Sequence, residues 1–70
     1  MRYAVVIEKA GNNWSAWVPD LPGCVATGST VENVKAAIRD AVFFHLEGIR
    51  EDGQPIPAPT CLVDSVEVAA

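Results

Sequence analysis

This chain has little positive charge and almost none of the side chains that make up common catalytic or metal sites. Its 70 residues hold five Lys and Arg against nine Asp and Glu, a formal net charge of −4. The five cations are Arg2, Lys9, Lys35, Arg39 and Arg50, and acids are interleaved among them. A concentrated basic patch is the footprint of a phosphate-backbone binder, and its lack argues against direct contact with nucleic acid. No apolar run approaches the roughly 20 residues that span a bilayer, and no basic-then-apolar signal segment opens the chain. A cytoplasmic protein without a membrane partner is the default expectation. There is one histidine, His45, and there are two cysteines, Cys24 and Cys61. No second histidine or cysteine stands at ligand spacing from His45, so no metal or other cofactor is expected. The acids are scattered over every predicted element, and the middle of the first strand, Ala4 to Ile7, is wholly apolar. A two-metal hydrolase needs carboxylates converging from strand centres, so catalysis is not expected and no catalytic residue is assigned.

What the chain does have is hydrophobic material in excess of its size. Half its residues are apolar and the mean hydropathy is +0.20. Seventy residues make one domain, and a chain this short buries only about 60% of its unfolded surface. The surplus apolar area needs another polypeptide to cover it, so self-association is expected.

The most constrained backbone lies at Val18-Pro19-Asp20-Leu21-Pro22-Gly23-Cys24. Proline cannot donate to a strand ladder and drives its predecessor into extended conformations. Pro19 and Pro22 therefore end one strand and delay the next; Asp20 can close a local Asx-turn and Gly23 can take a positive φ. Before this loop, Tyr3 to Glu8 reads as a β-branched strand with apolar residues on both faces, which suggests a central strand. Gly11-Asn12-Asn13 is hairpin chemistry, Trp14 to Val18 the returning strand, and Cys24 to Thr27 a third.

Thr30 predicts a helix N-cap with Glu32 in the first turn. Apolar spacing puts Val34, Ala37, Ile38, Ala41, Val42, His45 and Ile49 on one helix face, and Gly53 closes the helix as its left-handed cap residue. On that stripe His45 reads as a neutral side chain packed on the sheet. Phe43 points the other way, either to anchor a partner or to tuck against a loop or sister subunit. Pro55, Pro57 and Pro59 form a stiff return, and Leu62 to Val68 alternates as a fourth strand. A right-handed crossover then gives an α+β, β-β-β-α-β unit: a mixed four-stranded sheet in order 3-2-1-4, one helix on one face. Strands three and four would lie at opposite edges, about 14 Å apart, which excludes a Cys24–Cys61 disulfide. Both cysteines read as small buried apolar residues. The uncovered sheet face, drawing on Tyr3, Val5, Trp14, Trp17 and Val25, is the expected interface.

Taken together, Tyr3 to Glu8, the Val18–Cys24 segment, Gly28-Ser29-Thr30 and the helix end His45–Gly53 with Pro55-Ile56-Pro57-Ala58-Pro59 resemble a HicB-family antitoxin domain. The resemblance covers essentially residues 1–70. It implies a partial RNase H-like fold without the nuclease's catalytic acids, and a partner: a small basic HicA-like toxin that cleaves messenger RNA. Many members carry a further C-terminal DNA-binding domain; this chain stops at Ala70, so operator binding is not carried over. Candidate contacts for the toxin are Trp14, Trp17, Asp20, Asp40, Phe43 and Glu47. The other reading is an oligomeric binding or regulatory domain with no toxin partner.

Overall fold

The computed structural model describes residues 1–70 as a three-stranded antiparallel sheet with one long helix across it. The strands are β1 (Val6–Ala10), β2 (Asn13–Trp17) and β3 (Val25–Gly28), in spatial order β1-β2-β3, followed by α1 (Val31–Glu51). Gly11 turns the first hairpin at φ 61°. The register Ile7–Ala16–Ala26 runs across the face that carries the helix, and Val6–Trp17–Val25 runs across the opposite one. Period-two alternation thus separates a covered face from a bare one.

The helix is capped at both ends by its own sequence. Thr30 Oγ1 accepts from the Asn33 amide at 3.0 Å, and Ser29 Oγ meets Asn33 Nδ2 at 2.8 Å. At the other end Asp52 is the C-cap and Gly53 follows at φ 70°. Gly53 N–H donates to Arg50 C=O and Gln54 N–H to Ile49 C=O, the pair of bonds that defines a Schellman close. Helix and sheet approach closely at Gly28, where an added Cβ would lie 2.6 Å from the Val34 backbone nitrogen. Only hydrogen fits there.

The core is small: Ala16, Val18, Leu21, Cys24, Val34 and Ile38 are the only buried residues. Two of the six come from β2 and its extension, two from the proline loop and two from the helix. Tyr3, Val5, Ile7, Trp14 and Leu46 pack around them partly buried.

The structure departs from the sequence expectations at four places. The fourth strand is not formed: Leu62 to Val68 has no regular structure, and its apolar residues are 74–98% exposed. A period-two pattern makes a strand only where its backbone pairs, and here Leu62 and Val63 lie beside Arg2 to Val5 without pairing to them. The sheet is therefore three-stranded and β1 is an edge strand, not a central one. Second, β1 begins at Val6 instead of Tyr3. Val6 pairs with Trp17, but the next residue of that strand, Val18, donates its N–H to Cys24 C=O, and Pro19 has none to give. Third, Cys61 is exposed, not a buried apolar residue; both cysteines are free, with Cys24 alone in the core. Fourth, Tyr3, Val5 and Trp14 pack toward the core side, so the bare face rests on Trp17 and Val25.

Candidate functional site: an acidic, aromatic helix face and a clamped loop

Along the outer side of α1, residues 40, 43, 44 and 47 recur at intervals of three and four, so they share one helical face. They are Asp40, Phe43, Phe44 and Glu47. Phe43 is 61% exposed and Phe44 71% exposed, and their rings meet edge to face with centroids 5.8 Å apart. Two aromatic rings in water, fenced by carboxylates, have no role in the chain's own core. Glu47 also pairs with Arg50 on the exposed helix surface, an interaction worth a few tenths of a kcal/mol. Sequence reasoning found Asp40, Phe43 and Glu47 singly and missed Phe44. Treating the solvent side of the helix as a stripe would have revealed it.

The remaining expected contacts lie elsewhere. Trp17 stands on the bare sheet face beside Val25, 41% exposed, and its indole Nε1 donates to Glu8 Oε1 at 3.1 Å. Trp14 is half-buried on the helix side with Lys9 Nζ 5.3 Å from its ring centroid. It packs against the core cluster. His45 is half-buried and makes no side-chain hydrogen bond.

Asp20 has an internal role that its expected Asx-turn did not foretell. Its two carboxylate oxygens accept from Thr60 Oγ1 at 2.7 Å, Thr60 N–H at 3.0 Å, Cys61 N–H at 3.2 Å and Cys61 Sγ at 3.4 Å. The Thr60 hydroxyl and the two amides favour the ionised carboxylate and hold its pKa at about 2. The same contact raises the Cys61 thiol, first because the S–H donates to Asp20 only while it keeps its proton, and also because a thiolate would face the Asp20 charge. The loop carrying Asp20 is itself closed: Val18 N–H donates to Cys24 C=O, Leu21 N–H to Val18 C=O and Cys24 N–H to Leu21 C=O. Gly23 turns it at φ 83°, and Leu21 is fully buried beneath. Pro19, Pro22 and Gly23 therefore shape a rigid knuckle whose carboxylate grips the chain 40 residues on. Tyr3 adds a second tie, its hydroxyl donating to Pro57 C=O. No group of three His, Cys, Asp or Glu is placed to hold a metal ion, and no helix is long and apolar enough to cross a membrane.

The chain was compared with known proteins. A family described as "HicB_like antitoxin of bacterial toxin-antitoxin system" matches residues 3–69. An uncharacterised 14.9 kDa protein of Haemophilus phage HP1 is 37% identical over 57 residues, covering 81% of this chain and 43% of its own. Antitoxin HicB 2 of Photorhabdus laumondii is 34% identical over 71 residues, covering 100% of this chain and 51% of its own. A UPF0150 protein of Synechocystis is 28% identical over 67 residues, covering 94% and 85%. The chain thus spans about half the length of the first two relatives. No solved structure matches it at a significant level.

Proposed function

The chain belongs to the HicB-like antitoxins of bacterial toxin–antitoxin systems, and from that premise we propose that it neutralises a small basic toxin of the HicA type. It does so by covering the toxin's RNA-binding and catalytic surface. The observation that carries this reading is the Asp40-Phe43-Phe44-Glu47 stripe, where two exposed rings sit between carboxylates. Aromatic anchors supply most of the binding energy in protein interfaces, and flanking charge steers an oppositely charged partner. Trp17 on the bare sheet face offers a further anchor. Nanomolar affinity corresponds to about 12 kcal/mol, which a standard interface of about 800 Å² per partner can provide. The chain exposes 5377 Å², so it can meet such a partner and still have surface for a second copy of itself. No chemistry is required of the antitoxin, and its −4 charge suits a basic protein better than a nucleic acid. The site of action is the cytoplasm, where messenger RNA is cleaved.

The test is co-expression with any small basic protein encoded beside it. Native chain relieves the growth arrest that protein causes. Phe43→Ala/Phe44→Ala weakens binding at least 30-fold while leaving the melting temperature of the free chain in place, since both rings lie outside the core. Failure of the native chain to bind or relieve any such neighbour overturns the antitoxin reading. The second reading, a self-associating domain without a toxin, is favoured by the exposed segment after Cys61.

A further inference from the structure

Three of the five cations of this acidic chain converge on one apolar slot, and a basic toxin has no use for them. The slot is an open groove of about 420 Å³ between the first strand and the helix, walled by Tyr3, Val5, Ile7, Ile38 and Val42. Arg2, Lys35 and Arg39 rim it, and no carboxylate is among the residues that line it. None of the three cations is in an ion pair. Cys61 to Val63 lie beside Arg2 to Val5 but are not part of the groove's walls.

The rim repels a basic partner, so a fitting occupant brings apolar and acidic groups together. Two exposed surfaces of the chain have that chemistry. Residues 62–68 have no regular structure and would lose conformational entropy on docking. The Asp40-Phe43-Phe44-Glu47 stripe is already ordered on α1, its two rings in edge contact and exposed, so it docks without that cost. Within one chain the two surfaces stay apart. Lys35, Ile38, Arg39 and Val42 recur at helical spacing on the groove side of α1, and the stripe lies about 140° around the axis from them. A chain's own rings cannot enter its own groove.

We propose that the groove takes the Asp40-Phe43-Phe44-Glu47 stripe of a second copy of this chain. The two rings lie against Val5, Ile38 and Val42, and the carboxylates meet Arg2, Lys35 and Arg39. Because groove and stripe are different surfaces, the contact is heterologous: each copy gives its stripe to one neighbour and its groove to another. Two phenyl rings bury roughly 400 Å² together, about half of one partner's share of a standard interface, so the contact is weak. It covers the rings in concentrated protein and yields to any partner that buries a full interface on the stripe. The inference stands on groove and stripe alone, whether or not a toxin also uses the stripe.

Titration calorimetry between two full-chain variants tests it. Lys35→Glu/Arg39→Glu spoils the groove and keeps the stripe, whereas Phe43→Ala/Phe44→Ala removes the rings and keeps the groove. All four side chains are exposed, so both variants fold, which circular dichroism checks. Mixed, the two bind each other at least tenfold more tightly than either binds itself, since only the mixed pair holds one sound groove and one sound stripe. Any other contact between copies, including one through residues 62–68, is common to all three pairings and cancels. Asp40→Lys/Glu47→Lys mixed with Lys35→Glu/Arg39→Glu also gains at least tenfold over each alone, because the exchanged charges match. Equal binding in the mixed and self pairings overturns the stripe-in-groove contact. Lys35→Glu/Arg39→Glu leaves the stripe whole, so toxin binding is read separately and neither result decides the other.

Discussion

Two seven-residue stretches of this chain, Val18 to Cys24 and Leu62 to Val68, are both apolar and both lack regular secondary structure, yet they have opposite fates. In the first, Val18, Leu21 and Cys24 are at most 4% exposed and the backbone closes on itself through three hydrogen bonds. In the second no apolar residue is less than 74% exposed. The difference lies in where each stretch can find partners. Two prolines and a positive-φ glycine shorten the first into a knuckle that presses Leu21 under the helix. The second, an arm of strand chemistry, pairs with no strand of its own chain, although its first residues lie beside Arg2 to Val5. Local constraint fixes the one, and the other makes no backbone pairing that would fix it.

The largest expected effect strikes the knuckle. Leu21→Ala removes a fully buried side chain from a six-residue core and destabilises the chain by about 3 kcal/mol. Urea unfolding measures it, and a change below 1 kcal/mol would mean that the loop is not part of the core. Gly28→Ala comes next, at about 2 kcal/mol, because its Cβ meets helix backbone that cannot move aside. Thr30→Ala removes the N-cap and lowers stability by about 1 kcal/mol in the same measurement.

The Asp20 clamp joins the two stretches and provides a pH test. Its carboxylate is held at about 2, below the ordinary 3.8, so the folded state binds its proton more weakly than the unfolded state does. The stabilisation is complete above about pH 4 and is lost as the pH falls toward 2. Asp20→Asn flattens that acid limb. It also speeds the reaction of Cys61 with a thiol reagent at pH 8, because the carboxylate that raised the thiol pKa is gone. An unchanged rate would break the link between knuckle and arm. The smallest effect belongs to the arm itself: Val66→Asp shifts the unfolding of the free chain by no more than about 0.5 kcal/mol.

Much of this architecture is readable from residue types whose effect is local. Thr30 and Gly53 bracket the helix, Gly11 turns the hairpin, and the proline pair separates β2 from β3. The meander order β1-β2-β3 follows from short connections. The misreadings all involve distant contacts. Leu62–Val68 alternates as a strand should, but alternation does not say which edge will receive it. Asp20 suits a turn by composition, and nothing nearby in sequence reveals that Thr60 and Cys61 come to it. Of the proposed contacts, Asp40, Phe43 and Glu47 were visible as outliers from the helix's apolar stripe. Phe44 was overlooked, because the two rings stand side by side only when the helix's outer face is itself read as a stripe.

Amide hydrogen exchange resolved by residue, followed as the free chain is diluted, tests the contrast between knuckle and arm most directly. The account predicts that Leu21 and Cys24 stay protected throughout, while Val63 to Val68 exchange freely in the separated chain. Arm amides that remain protected at every dilution would contradict it, because the fourth strand would then be supplied by the chain's own body.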